Sequence, residues 1–299
     1  MLLSICLVNW NTREDLRRCL ASIPEGAQTI AYEILVVDNA SADGSPEMVA
    51  RDFPGVHLIR NDDNLGFSRA NNQAIAHSRG DYILLLNSDT VVHPGALACL
   101  VAALDAHPEA GIAGAKLLNG DGSLQYSCRR FPTFSAGLVR NSPLARLLPG
   151  HKGVQDYLMT DFDHASRCSV DWVSGAALCI RRQTLQQIGR LDEGYFMYCE
   201  DVDWCYRAHQ AGWDVQYIPD AVITHLIGRS SDKAVAAMVR AHHTSMRRFY
   251  WKHYAPKTPW LMRWVPPVGI WLRLQVTLLA KRRHAPTPLP TEPAVPAAR

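Results

Sequence analysis

From Leu2 to Leu118 the chain alternates short aliphatic runs with stretches that carry apolar residues along one helical face, and few folds accept that order. LLSICLVNW reads as a strand, and Thr12 to Ser22 as a helix with Leu16, Cys19, Leu20 and Ile23 on one side. YEILVVDNA is a second strand, followed by a turn at Asp43-Gly44 and a helix from Pro46 to Asp52. VHLIRN, DYILLLN and AGIAGAKLL are further strands, with helices over GFSRANNQAIAHS and from Gly95 to Ala106 between them. Repeated strand–helix units predict an α/β fold with a mostly parallel sheet and helices on both faces. Ile83 and the three leucines after it suit a strand covered on both sides. No GxGxxG follows the first strand and no GxxxxGK[ST] occurs, which sets aside the dinucleotide fingerprint and the P-loop.

The strands end alike. The first closes in Val8-Asn9-Trp10-Asn11, the second in Asp38-Asn39-Ala40-Ser41, the third in Asn61 to Asn64 and the fourth in Asn87-Ser88-Asp89. Any one of these could be a turn, and Ser88, Asp89 or Thr90 could cap a helix beginning near Pro94. Four acid- or amide-bearing ends on the ligand-binding edge of one sheet predict a cleft there.

The remainder is less regular. LNGDGSLQYSCRRFP suggests a hairpin or loop, and residues 135–168 a long excursion. VDWVSGAALCIRR reads as a strand entering a helix. Val202, Cys205, Tyr206 and His209 keep helical spacing, so a helix starts near Glu200-Asp201 and ends at Gly212. WDVQYIP and AVITHL read as two short strands, Ala234 to Tyr254 as a basic helix, and 284–299 as a disordered Pro-rich tail.

Composition adds two constraints. The eight cysteines form no CxxC pair, and Cys6, Cys99 and Cys179 lie in apolar runs, the usage of reduced thiols in a cytoplasmic protein. The start, MLLSICLVNWN, is too short and too quickly polar for a secretory signal. The formal charge of +3 hides an asymmetry: residues 229–283 hold twelve Lys or Arg against Asp232 alone, a local balance of about +11. Trp251, Trp260, Trp264 and Trp271 fall in the same stretch. The uncharged run from Trp264 to Leu272 is too short to cross a bilayer, so residues 255–283 are expected to lie as a basic amphipathic tail in the headgroup zone of an anionic membrane. Packing on the body or on a second copy in a homodimer is the alternative, and no nucleic-acid motif accompanies the charge.

Taken in order, VNWN, VVDNASADGS, NLGFSRANN, LLLNSDT, VSGAALCIRR and FMYCEDVDWCYRAHQAGW resemble the family 2 glycosyltransferases of the GT-A (Rossmann-like) fold, closest to bacterial rhamnosyltransferase-like members. The resemblance spans residues 3–254 and implies a catalytic domain over 1–254, with a nucleotide-sugar half at 1–118 and an acceptor half at 119–254. It implies a dTDP or UDP sugar donor, with L-rhamnose from dTDP-rhamnose foremost and a UDP-hexose or UDP-galactofuranose as the alternative. The implied acceptor is a polyprenyl-diphosphate-linked saccharide, met at the inner face of the plasma membrane. A silent nucleotide-binding scaffold subunit is the alternative of another class.

Roles follow by position. Asn87-Ser88-Asp89 stands where the family has its DxD motif: Asp89 would hold Mg²⁺ or Mn²⁺, with Asn87 at the ribose and Ser88 beside it. Asp38 would accept the imide N–H of uracil or thymine. Asn9, Asn64, Gly66 and Phe67 would line that pocket, and Asn71 would reach the sugar. Asp201 would be the base that takes the acceptor's proton, with Glu200 orienting it, and its place in the first helical turn should ease its ionisation. Asp203 would lie on the helix surface or bind acceptor. His225 would add a metal or diphosphate contact, Arg229 would approach the diphosphate, and Trp172, Ser174, Gly175 and Ala176 would form the acceptor wall.

Overall fold

The computed structural model describes residues 1–133, 152–226 and 235–283. Arg229, the Pro-rich 284–299 and residues 135–151 of the excursion expected over 135–168 lie outside the described residues. The first half runs β1 (Leu2–Asn9), α1 (Arg13–Ala27), β2 (Ala31–Asn39), α2 (Ser45–Asp52), β3 (His57–Asn61), α3 (Phe67–His77), β4 (Tyr82–Asn87), β5 (Thr90–Val92), α4 (Ala96–Ala106) and β6 (Ala110–Leu118). The second half adds β7 (Leu124–Gln125), β8 (Cys128–Arg129), α5 (Lys152–Leu158), β9 (Cys168–Ser169), β10 (Trp172–Val173), β11 (Ala177–Arg181), α6 (Arg182–Ile188), α7 (Glu200–Gln210) and β12 (Asp214–His225). Two helices follow, α8 (Val235–Phe249) and α9 (Val265–Arg283), joined by a π-helical turn at Tyr250–Tyr254 and two short 3₁₀ turns.

The main sheet has the order β3-β2-β1-β4-β11-β6-β12-β5. β1, β2, β3 and β4 are mutually parallel, β11 is antiparallel to β4 and β6, and β12 returns parallel to β6. Strand order reverses between β1 and β4, which opens a crevice beyond their carboxyl ends. Both faces are covered. Ile5 and Leu7 meet Leu16, Leu20 and Ile23 of α1, while Cys6, Leu35 and Val37 face Ala70, Ala74 and Ile75 of α3. That is why β1 and β4 carry apolar residues on both faces instead of alternating. Each such side chain contributes about 1.5–3 kcal/mol of burial. All eight cysteines are free thiols, and burial pushes that of Cys179 up to about 12.

Four local expectations change. The polar end of β4 is not a helix cap: β5 intervenes, and α4 starts after Gly95, a left-handed residue with no side-chain cap. WDVQYIP and AVITHL are one strand, β12, whose pairing with β6 shifts between Ile218 and Val222, so a bulge absorbs Pro219, Asp220 and Ala221. VDWVSGAALCIRR is two strands around a turn at 174–176, and the helix begins only at Arg182. The basic helix ends at Phe249.

The C-terminal tail also differs from expectation. α9 packs along α8 with Pro267 buried and Ile270, Leu274 and Leu278 half-buried. Its opposite side exposes Val265, Val268, Leu272, Val276 and Leu279 at helical spacing. The helix is therefore apolar on two sides rather than amphipathic. Among the described residues no helix is long and apolar enough to cross a membrane.

Candidate active site

At the crevice, Asn9 is buried and donates from Nδ2 to Asp38 Oδ1 (2.8 Å) and to Ser41 Oγ (3.0 Å). Asp38 Oδ2 accepts the Ser41 backbone N–H at 2.8 Å, so this carboxylate does form the turn and retains acceptor capacity on both oxygens. Asn64 Oδ1 accepts from Asn39 Nδ2 (3.3 Å) and from the Gly66 N–H (3.0 Å). Gly66 has φ +84°, and a Cβ there would lie 2.5 Å from the Phe196 carbonyl oxygen, so only glycine fits. The next residue, Phe67, donates its N–H to that same carbonyl at 2.7 Å. Asn71 is buried; its Nδ2 bonds the Phe67 carbonyl (3.0 Å), and its Oδ1 has no hydrogen-bond partner.

The turn after β4 holds Ser88 against Thr12, hydroxyl to hydroxyl at 3.0 Å. β5 then pairs with β12 so that Thr90 lies opposite His225, and the Leu226 N–H bonds the Asp89 carbonyl at 2.9 Å. This register brings His225 Nε2 to 3.3 Å from Asp89 Oδ1 and 3.1 Å from Asn87 Nδ2. Asn87 thus faces the imidazole. Gln125 fixes the tautomer. Its Nε2 donates to Asn119 Oδ1 and the His225 carbonyl (2.9 and 3.1 Å), which turns its Oε1 toward His225 Nδ1 at 2.7 Å. Nδ1 therefore carries the proton and the Nε2 lone pair faces Asp89. Among the described residues no three His, Cys, Asp or Glu side chains gather as a full metal cage. One carboxylate oxygen and one imidazole nitrogen 3.3 Å apart fit neighbouring ligands of a cation whose remaining sites are filled by diphosphate and water.

The chain approaches Glu200 through Tyr198 and Cys199, consecutive non-glycine residues at φ 69° and 65°. Holding two such residues costs of order 1–3 kcal/mol each and aims the start of α7 at the crevice. Asp201 Oδ2 accepts the Gly175 N–H at 3.0 Å, and Oδ1 the Val202 N–H at 2.8 Å. One residue on, the Ala176 carbonyl accepts the Asn87 N–H at 3.0 Å. The turn at 174–176 therefore spans from the candidate base to the candidate donor strand end.

The ease of ionisation expected for Asp201 from its helical position is outweighed. Burial pushes its carboxyl above the ordinary range against the two backbone N–H groups and the Arg129 charge. Glu200 is pushed well above by burial and by the Asp201 charge, and its Oε2 is buried with no hydrogen-bond partner.

Asp203 is neither on the surface nor open to an acceptor. It is fully buried and takes His253 Nε2 at 2.7 Å, Lys252 Nζ at 2.8 Å, Arg207 Nε at 2.8 Å and the Tyr195 hydroxyl at 3.3 Å. Burial alone would raise its carboxyl; the His253 hydrogen bond and the Arg207 and Lys252 charges overcome that and hold it below the ordinary range. Trp172 is buried and donates Nε1–H to the Arg130 carbonyl at 2.9 Å. Two groups escaped the sequence reading. The Arg129 guanidinium lies 5.2 Å over the Trp172 ring, and Gln125 sets the His225 tautomer. Only the paired arginines of SCRRFP signalled the first, and nothing local signalled the second.

The sequence profile of "Glycosyl transferase family 2" matches residues 4–161. The chain is similar to the N-acetylglucosaminyl-diphospho-decaprenol L-rhamnosyltransferase of Mycobacterium tuberculosis H37Rv, 29% identical over 294 residues and 95% of each chain. It is 25% identical to rhamnosyltransferase WbbL of Escherichia coli K12 over 253 residues, 82% of this chain and 91% of that one. Among solved structures it resembles the mannosyltransferase PcManGT of Pyrobaculum calidifontis in complex with GDP-Man and Mn²⁺. The TM-score there is 0.56 at 17% identity, covering 96% of this chain and 76% of that one. S. aureus TarS 1-349 in complex with UDP gives 0.51 at 15% identity, covering 82% and 65%.

Proposed function

The chain belongs to glycosyl transferase family 2, and we propose that it is an inverting enzyme that moves L-rhamnose from dTDP-rhamnose to a polyprenyl-diphosphate-linked saccharide. The observation that carries this reading is the 174–176 turn, which ties the Asp201 carboxylate to the Asn87 strand end through adjacent backbone groups. A base and a donor site so joined keep a fixed separation, as direct displacement requires. The catalytic unit is residues 1–254, with the donor in the half before 119 and the acceptor in the half after it. The similarity to two rhamnosyltransferases supports the sugar, and the first one's printed name supports the lipid-linked acceptor; the enzyme would meet that acceptor at the inner face of the plasma membrane.

Asp38 accepts the imide N–H of the base, with Asn9 holding its carboxylate in place. The loop from Asn64 to Phe67 closes on the nucleotide, with Asn71 behind it. Asn87 and Ser88 position the donor, and Asp89 with His225 would hold Mg²⁺ or Mn²⁺. Such a cation supplies charge neutralisation to the departing diphosphate; the solved relative with GDP-Man and Mn²⁺ supports it. Arg229 reaches the same diphosphate. The acceptor saccharide rests against the turn at Ser174, Gly175 and Ala176, which Trp172 supports from below. Asp201 takes the acceptor hydroxyl proton as that oxygen attacks the anomeric carbon, and the nucleoside diphosphate leaves on the opposite face. Glu200, beside it, orients the base.

The test is thermal unfolding with a panel of nucleoside diphosphates, with and without Mg²⁺ or Mn²⁺, on wild type and Asp89→Ala. A ligand that binds only the folded chain raises its melting temperature. A metal-dependent rise with dTDP that Asp89→Ala abolishes is the expected result. A rise with UDP alone moves the donor to a UDP-hexose or UDP-galactofuranose, and no rise with any nucleotide removes the reading in favour of a silent subunit.

A further inference from the structure

We propose that the outer side of α9, with the turn at Trp260 to Trp264 ahead of it, docks flat on the headgroup zone of an anionic lipid bilayer. This names the membrane surface behind the acceptor reading above and rests on that reading only for the source of the acceptor. Trp260, Trp264 and Trp271 are 72%, 65% and 55% exposed, and Leu272, Val276 and Leu279 are also exposed. This side has no core to fill, because α9 already packs on α8 through its other side. Apolar residues on both sides are what a helix needs when it lies between a protein body and a bilayer. Tryptophan suits that level because its ring is apolar and its N–H stays wet.

Charge selects the occupant. Residues 233–283 contain eleven Lys or Arg and no Asp or Glu. Arg248 and Lys252 pair with Asp192 and Asp203 of the body. A protein partner would have to cover the exposed apolar residues beside this excess of positive charge, and charged residues as a class are depleted at the cores of such interfaces. An anionic headgroup layer meets both features, with aromatic residues at the boundary and cations reaching phosphate. The helix is 19 residues long and opens with Pro266-Pro267, which its first turn tolerates, so lying along the surface needs no break in it.

The docked element is also fixed to the catalytic loop. Ser245 of α8 donates its hydroxyl to the Met197 carbonyl at 2.8 Å, His242 stacks edge-on to Tyr198 at 5.3 Å, and Arg248 pairs with Asp192 at 2.7 Å. The bilayer thus lies on the side from which α8 holds residues 192–198, immediately ahead of Glu200-Asp201.

Co-sedimentation of the full chain with vesicles tests this, using phosphatidylcholine alone or phosphatidylcholine with phosphatidylglycerol, at low and high salt. The comparison is with Trp271→Ser/Leu272→Ser/Val276→Ser, all solvent-facing, and circular dichroism checks its fold. We expect binding to the anionic vesicles that falls about tenfold or more in high salt, on neutral vesicles and in the triple variant, with unfolding temperature unchanged. Absence of wild-type sedimentation with any vesicle overturns the proposal, as does equal sedimentation of the variant. A wild-type dimer that the triple substitution dissolves, without vesicle binding, assigns this side to a second copy and overturns it too. Nucleotide-induced stabilisation, measured on the same preparations, reads the transferase reading separately.

Discussion

As the proposed base, Asp201 would have to lose its proton before it could accept one, and the surrounding protein makes that loss harder. A base is active only when ionised, so transfer falls as pH drops through the folded value of this carboxyl. Since burial raises it, the acid limb of kcat/KM should lie above the ordinary aspartate value of about 4. Arg129 opposes the shift, so Arg129→Ala should move the limb to still higher pH while leaving nucleotide-induced stabilisation intact. Asp201→Asn should lower kcat by about 10²–10⁴-fold without loss of nucleotide binding, measured by initial rates and thermal shift. Gln125 acts through His225. Gln125→Ala frees the imidazole to change tautomer, and should weaken the apparent Mn²⁺ affinity by about 10–100-fold in a Mn²⁺ titration of nucleotide stabilisation. The acids at 89 and 201 were visible from strand and helix ends, because chemistry and position coincide there. Gln125 was not, because its partner lies 100 residues along the chain.

At the scale of elements, α7 is held from behind as well as from the crevice. Asp203 gathers Arg207 from its own helix and Lys252 and His253 from the turn after α8, while Asp192 takes Arg248 and Lys252. Asp203→Asn leaves these cations without their buried counter-charge, and should destabilise the chain by about 3–5 kcal/mol in denaturant unfolding. The pH dependence follows from the direction of the shifts. Both carboxyls are lower in the folded chain than in the unfolded one, so their stabilisation is full above the unfolded value near 4 and is lost as pH falls through the folded values. Acid unfolding should therefore come earlier on the pH scale in Arg248→Ala. The βα units of the first half were legible because helix and strand periods differ and each strand's contacts are local in pattern. β5 was not, since three residues carry no period and its pairing with β12 is fixed far along the chain. The burial of Asp203 was hidden for the same reason: on a helical wheel it is a first-turn acid, and Tyr195 with the turn after α8 covers it.

Across the whole molecule two backbone hydrogen bonds join the halves at the crevice, and a third bond ties the second half's own turn to Asp201. Phe67 bonds Phe196, Gly175 bonds Asp201 and Ala176 bonds Asn87, so the nucleotide loop, the catalytic loop and the end of β4 share their hydrogen bonds. The Gly66 contact is the tightest of these, because no side chain fits between it and the Phe196 carbonyl. A ligand that orders residues 64–67 must then also restrain residues 195–201, since moving one segment breaks the bond to the other. Hydrogen exchange followed by mass spectrometry should show slower exchange across 195–201 when nucleoside diphosphate and Mn²⁺ bind, although the argued nucleotide contacts lie elsewhere. Gly66→Ala adds both the Cβ clash and the strain of a left-handed alanine, about 1–3 kcal/mol from backbone conformation alone. It should weaken nucleotide binding and abolish the protection of 195–201. Protection that persists in Gly66→Ala with nucleotide bound would mean that the two loops respond to the ligand independently, and that the turn at 174–176 alone aligns base and donor.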